Sequence, residues 1–414
     1  MTVRPLVVRP DDTLDADTAT YAAARSGNRV VGLTLGSVIP LPSEAKLVHL
    51  PGRQAYGMDR DGVPVVISDA VPVAAVLPVG YLRTYLPAGE WDGAGAPLPL
   101  FGYTAVAEHG GELVAAAVQS DDFGAWQERE DSGETIETAW QEAKLALPHN
   151  RLVDQLHDCA VDNRCYTAQN TLLRQHEGAL PASPACNADC LGCISLQRAP
   201  VDSPQERMRY APTALELVEL ATYHLDTGAP MVSFGQGCEG EPLTRGAVLV
   251  EAVAGIRARF PAATIHINTN GSRPDTLKKL VEAGLNSVRI SAISFTDQIF
   301  RAYYRPIGYG LEEVLNSGTV VAESGGQVCL NLLTFPGVTD VSSELDATVA
   351  ACSSMGVQQV QWRTLNVDHD WLRSLLPELS PGVGIEEARR RLEVELPLVA
   401  HGNFTRPVPV APRR

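Results

Sequence analysis

The stretch Ser183-Pro-Ala-Cys186-Asn-Ala-Asp-Cys190-Leu-Gly-Cys193 decides how this chain reads. Its thiols fall at a C-x3-C-x2-C spacing, directly after the apolar run Leu180–Pro184. A cubane iron–sulfur cluster usually takes four cysteine thiolates. A compact loop with gaps of three and two residues can wrap one cluster and aim three sulfurs at three irons, leaving the fourth iron open. An open coordination position is the mark of a catalytic metal site. Two other readings stand beside this one. One is a set of buried free cysteines, which pack as small hydrophobes; the polar setting with Asn187 and Asp189 argues against it. The other is a structural zinc site, for which Cys165 or His157 would supply a fourth ligand.

Downstream of the motif, apolar runs and amphipathic segments alternate. Candidate strands are Leu180–Pro184, Met231–Phe234, Ala263–Asn268, Ser287–Ser291, Val328–Thr334 and Gln358–Arg363. Candidate helices between them are Thr213–Tyr223, Arg245–Arg259, Pro274–Ala283, Leu311–Ser324 and Ser342–Ser354. Such alternation means repeated βαβ units around a parallel sheet. Six units are too few for a closed eight-stranded barrel. The expected fold class is therefore α/β, a partial (β/α)6 TIM-like barrel over residues 180–376, with function at the C-terminal ends of its strands.

The motif and the loops after these strands resemble the radical S-adenosylmethionine (SAM) superfamily over roughly residues 180–370. The resemblance implies a [4Fe–4S] cluster on Cys186, Cys190 and Cys193, with SAM bound at the open iron. Glu239-Gly240-Glu241-Pro242 corresponds to the superfamily's Gly-Gly-Glu-Pro segment, with Glu239 in place of the first glycine; Gly240 and Glu241 become SAM-binding candidates. Asn270, in Asn268-Thr-Asn-Gly-Ser272, matches a similar loop. Ser291 is the candidate at the fourth strand, with Ser294 second. Arg305, in Ala302-Tyr-Tyr-Arg-Pro306, is a candidate for the SAM carboxylate, with Arg301 competing and Tyr303 and Tyr304 toward substrate. Asn331, on the fifth strand, is polar within an apolar run and needs a partner; Arg363, with Gln361 and Asn366, suits the open side of the barrel. Gly192 departs from the aromatic residue that members usually carry before the third cysteine.

The implied activity is reductive cleavage of SAM to a 5′-deoxyadenosyl radical that abstracts hydrogen from an unidentified substrate, a peptide or protein or a small metabolite. No side chain need be the primary catalyst, since the cofactor supplies the chemistry. An electron donor such as flavodoxin or ferredoxin is the implied partner. The rival reading is a non-catalytic iron–sulfur electron-transfer or redox-sensing protein, or a zinc-stabilised binding module, neither of which needs the SAM-type loops. Cys159, Cys165 and Cys238 are candidates for an auxiliary metal site. Cys329 and Cys352 read as core thiols.

Upstream, residues 1–125 read as a small mainly-β domain, with apolar runs at Val30–Leu35, Ala45–Leu50, Val63–Ile67, Val73–Leu77, Tyr103–Ala107 and Leu113–Val118. Pro64 suits an edge strand. Residues 126–179 read as a helical connector, with helices at Thr135–Leu147 and Asn150–Cys159. Residues 377–414 read as a helix, Ile385–Glu395, and a Pro-rich tail with a loose end.

A net charge of −16 over 414 residues argues against nucleic-acid binding through general phosphate attraction. The N-terminus lacks the apolar core of a signal peptide. No apolar run is long enough to span a membrane. Together these predict a cytoplasmic protein whose eight cysteines serve metal or redox chemistry rather than disulfides.

Overall fold

In the fourth of the candidate strands, apolar and polar residues alternate, and the alternation sorts them onto two faces. Val288 and Ile290 are fully buried. Ser287, Arg289 and Ser291 point the other way, toward polar groups on other strands. The same division repeats around a parallel sheet of seven strands: Glu177–Ala179, Met231–Phe234, Thr264–Thr269, Ser287–Ala292, Gln327–Thr334, Gln359–Thr364 and Ala400–Gly402, paired in chain order. They are called the first to seventh barrel strands below. The helices Ala214–Leu225, Gly246–Arg259, Pro274–Ala283, Leu311–Glu323, Ser342–Ser354 and Ile385–Glu395 follow the first six strands. The computed structural model describes residues 3–91, 96–121, 133–197 and 201–408. The last part of the tail expected to be loose lies outside them, as does the start of the expected connector.

The fold class is the expected one, a curled partial barrel preceded by a mainly-β region. Three details differ. Leu180–Pro184 is the extended exit from the first barrel strand, which itself ends at Ala179. The short helices Asp297–Tyr304 and His369–Leu375 join the expected set. The seventh barrel strand comes from a segment that reads as tail; it pairs with the sixth through Gln359–Ala400 and Gln361–Gly402.

Below the cavity the barrel interior is polar and satisfied by its own hydrogen bonds. The His266 ring meets Ser287 Oγ at 2.7 Å and Asn268 Oδ1 at 3.0 Å. Asn268 Nδ2 donates to the Phe234 carbonyl, and Ser287 donates to Gln327. Burial pushes His266 down to about 3, so it stays neutral.

The N-terminal region is antiparallel, built on sheets of seven, six and two strands. Pro64 does lie on an edge strand, Pro64–Val66, which pairs only with Arg53–Met58. The barrel has one continuous apolar core, whereas most buried apolar residues of the β region fall into small separate clusters. Buried charge joins the two regions. Arg25 reaches Asp370 at 2.7 Å, and Arg53 pairs with Asp368. Asp368 also accepts from the Leu98 N–H and caps the helix His369–Leu375 through the Asp370 N–H. Among the described residues no helix is long and apolar enough to cross a membrane.

Candidate active site

The chain from Ala185 to Cys193 makes a loop across the top of the barrel, and the loop's own backbone needs explain its shape. One side-chain amide, Gln197 Nε2, donates to three of its carbonyls, at Cys190, Leu191 and Cys193. The Asp189 and Leu191 N–H groups donate to the carbonyls of Tyr304 and Tyr303, and the Ile307 N–H donates to the Asn187 carbonyl. The loop is thus docked on the turn after the fourth barrel strand. Burial, together with the charges of the other two thiols, pushes the Cys190 thiol well up, so the three sulfurs share one local field. Arg207 Nη2 donates to Cys193 Sγ at 3.4 Å.

Cys190 and Cys193 line a cavity of about 410 Å³ whose opposite walls come from the ends of the second to sixth barrel strands. The Gly-rich loop after the second strand forms one wall. Its Gly240 lies so near the cysteine loop that an added Cβ would stand 2.1 Å from the Ala185 carbonyl oxygen, so only glycine fits. Glu239, at the position where the resemblance leads one to expect glycine, is a brace. Its two carboxylate oxygens accept from the N–H groups of Ala182, Ser183, Gly235 and Gln236, tying the exits of the first and second barrel strands together. Burial pushes Glu239 up to about 7, against the pull of those four donors. Glu241 braces the next exit, accepting from the Leu243 and Asn270 N–H groups and from Thr269 Oγ1.

Of the residues singled out in the sequence, Gly240, Glu241, Asn270, Ser291, Asn331 and Arg363 all line this cavity, as do Tyr303 and Tyr304. Both Glu241 oxygens are engaged in the loop, so its side chain is structural. Asn270 donates to Asn187 on the cysteine loop at 2.9 Å. Asn331 Nδ2 donates to Ser291 Oγ at 2.9 Å, while the buried Asn331 Oδ1 has no partner among the described residues. Ser294 is not available to a ligand, since it donates to buried Glu344. Arg305 is not brought to the cavity. It is exposed, at the left-handed C-terminal end of the helix Asp297–Tyr304, and Arg301 is engaged by Asp297.

The sequence reading missed Glu239 as a brace, Gln197, Arg207 and Arg289. Arg289 carried a readable signal: it lies two residues from Ser291 on an alternating strand and so shares its face. Glu239 joins segments far apart in sequence, whereas Gln197 and Arg207 act on the nearby cysteine loop through single side chains that carry no spacing signal.

The Cys159 and Cys238 thiols act on each other, lowering Cys159 and pushing Cys238 well up, and the charge of Cys165 reaches Cys238. Among the described residues the only convergence of three potential metal donors within 4.8 Å is Asp368, His369 and Asp370. Asp368 and Asp370 are already paired with Arg53 and Arg25.

The donor set suits an iron–sulfur cluster with one open iron: two thiols lining the cavity and a third, Cys186, on the same loop, a glycine that admits close backbone approach, and an orphaned acceptor on the far wall. A family model, the radical SAM superfamily, matches residues 180–349. Among solved structures, the chain is similar to methylornithine synthase (PylB), at 17% identity over 65% of this chain and 71% of that one, TM-score 0.39. It is similar to the FeFe-hydrogenase maturase HydG from Carboxydothermus hydrogenoformans at 15% identity over 65% and 70%, TM-score 0.40. It is also similar to SuiB of Streptococcus suis, in a structure bound to S-adenosylmethionine, at 14% identity over 63% and 56%, TM-score 0.39. No curated protein matches the chain. The likeness thus falls on the barrel: residues 180–349 match the radical SAM superfamily, a superfamily of enzymes.

Proposed function

We propose that Cys186, Cys190 and Cys193 hold a single [4Fe–4S] cluster and that the cavity beneath them takes SAM and a substrate. The observation that supports this most is the meeting of two cysteines of the motif with the Gly-rich loop around one cavity. When bound, the cluster and SAM supply reductive carbon–sulfur cleavage and hydrogen abstraction from substrate.

The chain's residues position and seal. Gln197 and the Tyr303–Tyr304 backbone fix the cysteine loop. Glu239 and Glu241 fix the strand exits from which the Gly-rich loop and Asn270 project. Gly240, Asn270, Ser291 and Asn331 are the SAM-facing set, with Asn331 Oδ1 free to accept from an amine or hydroxyl. Buried Tyr303 and Tyr304 exclude water beside the thiols. Arg305 is left out of the set, and Arg363 is taken up below.

The units of this reading are the β region at 1–125, the connector at 126–179, the catalytic barrel at 180–376 and the closing helix and tail at 377–414. The seventh strand, contributed by the last of these, completes the barrel wall. A flavodoxin or ferredoxin as electron donor, and a cytoplasmic setting that keeps the eight thiols free, complete the reading. Cys159, Cys165 and Cys238 remain thiols in this assignment.

Anaerobic reconstitution followed by iron and sulfide counting tests it, with 5′-deoxyadenosine measured after dithionite and SAM are added. About four irons per chain and 5′-deoxyadenosine production are expected, both lost in Cys186→Ala, Cys190→Ala and Cys193→Ala. About eight irons would restore the auxiliary site. A cluster without SAM cleavage would favour an electron carrier, and zinc alone would overturn the reading.

A further inference from the structure

Arg289 and Arg363 both line the cavity and are half-buried. They rise from the fourth and sixth barrel strands on either side of the fifth. Arg289 Nη1 donates to Gln361 Oε1 at 2.7 Å, but its buried Nε has no partner among the described residues. Arg363 lies over the Phe404 ring, 5.8 Å from its centroid. Among the described residues its guanidinium has neither a hydrogen-bond acceptor nor an ion pair. Burial pushes Arg363 down to about 9, and the neighbouring charge of Arg289 adds to the fall. The charge of Glu177 reaches both, and that of Asp121 reaches Arg363; neither forms an ion pair with them, Glu177 being bonded to Ser233 and Asp121 to the Asn403 and Phe404 N–H groups. Charge drawn out of water without a partner is costly. Two guanidinium groups facing one cavity form a fork that suits an acid group.

A second cavity sets Arg363 apart from the cysteines. Arg363, Thr364 and Asn366 also line a second cavity, of about 190 Å³. Its other walls are Val76–Val79, Tyr81 and Gly102 of the β region, and Asn403; no cysteine of the motif lines it. Arg363 therefore stands where the main cavity meets a side cavity bounded by the N-terminal region.

We propose that the substrate is an acid: its carboxylate or phosphate is held by Arg289 and Arg363, and the rest of the molecule extends into the side cavity. This rests on the reading of the main cavity as the SAM site and adds a substrate class to it.

The test is anion binding to the reconstituted holoenzyme with SAM present, followed by thermal shift and calorimetry. The probes are succinate and benzoate in one arm, and inorganic phosphate and pyrophosphate in the other. Wild type is expected to bind members of one arm. Arg289→Gln and Arg363→Gln are each expected to weaken that binding about tenfold or more, and by more than they weaken SAM binding. Preference for the first arm marks a carboxylic acid, and for the second a phosphate; both support the proposal. Binding in neither arm overturns it, as does anion binding that survives in both variants. A loss confined to SAM affinity also overturns it, because the arginines would then serve the SAM carboxylate. If a glutamine variant fails to fold, Arg363→Lys keeps the charge without the fork and should weaken anion binding several-fold. If the protein forms no cluster or does not cleave SAM, the functional reading fails by itself, visibly apart from the anion result.

Discussion

At the seam between the β region and the barrel, Arg25 and Arg53 are buried and each meets an aspartate. In the cavity, half-buried Arg289 and Arg363 are ion-paired with none. The seam solves its charge internally: Asp368 takes Arg53, the Leu98 N–H and the N-terminus of the helix that follows. The cavity leaves its charge for something that is not part of the chain. Arginine thus carries opposite meanings in one molecule, glue where a carboxylate answers it and recognition where none does.

The largest effect should come from breaking the seam. Asp368→Ala would strand Arg53 in the interior and uncap a helix, costing about 3–5 kcal/mol in a denaturant titration. A cost under about 1 kcal/mol would show that water reaches the seam and that the contrast is false. A smaller effect is expected at an ion pair that is half open to solvent. Arg151, half exposed, holds Glu216 at 2.7 Å, and Glu216 also bonds the Thr213 N–H. The Arg151 hydrogen bond is the main cause holding Glu216 down to about 2 from 4.5. Because that folded-state value is depressed, its stabilisation is complete above about pH 4.5 and fades as pH falls toward 2. Glu216→Gln should cost about 1 kcal/mol at pH 7 and flatten the acid limb of the stability profile. The smallest effect, and one of opposite sign, is expected in the cavity. Arg363→Met should leave stability within about 1 kcal/mol of wild type or raise it, since it removes a half-buried cation that forms no ion pair. A large loss there would mean that Arg363 is glue after all.

Much of the barrel was legible because apolar strand runs alternate with helical segments along the chain. Met231–Phe234 and Pro274–Ala283 fall where the pattern puts them. The three-residue strand Ala400–Gly402 has too little pattern of its own, and its pairing with the sixth strand defines it. In the β region, Tyr21–Ser26 reads Tyr-Ala-Ala-Ala-Arg-Ser, a run without β-branched residues; neighbouring strands on both sides impose its conformation. The site was legible in its thiols, because their spacing is local. It was not legible in Glu239, whose meaning lies in four N–H groups from two strand exits. Nor was it legible in the exclusion of Arg305, which depends on where a short helix ends.

Gly102 of the β region sits so near the end of the sixth barrel strand that an added Cβ would lie 2.8 Å from Thr364 and 3.0 Å from Asn366, residues that line both cavities. A movement of the β region is therefore a movement of the cavity wall. That region relies on small apolar clusters, while the barrel has one continuous core, so warming should loosen it first. Heat would then blunt selectivity at the arginine end while the cysteine end still held its shape, and the enzyme would lose its discrimination before its chemistry.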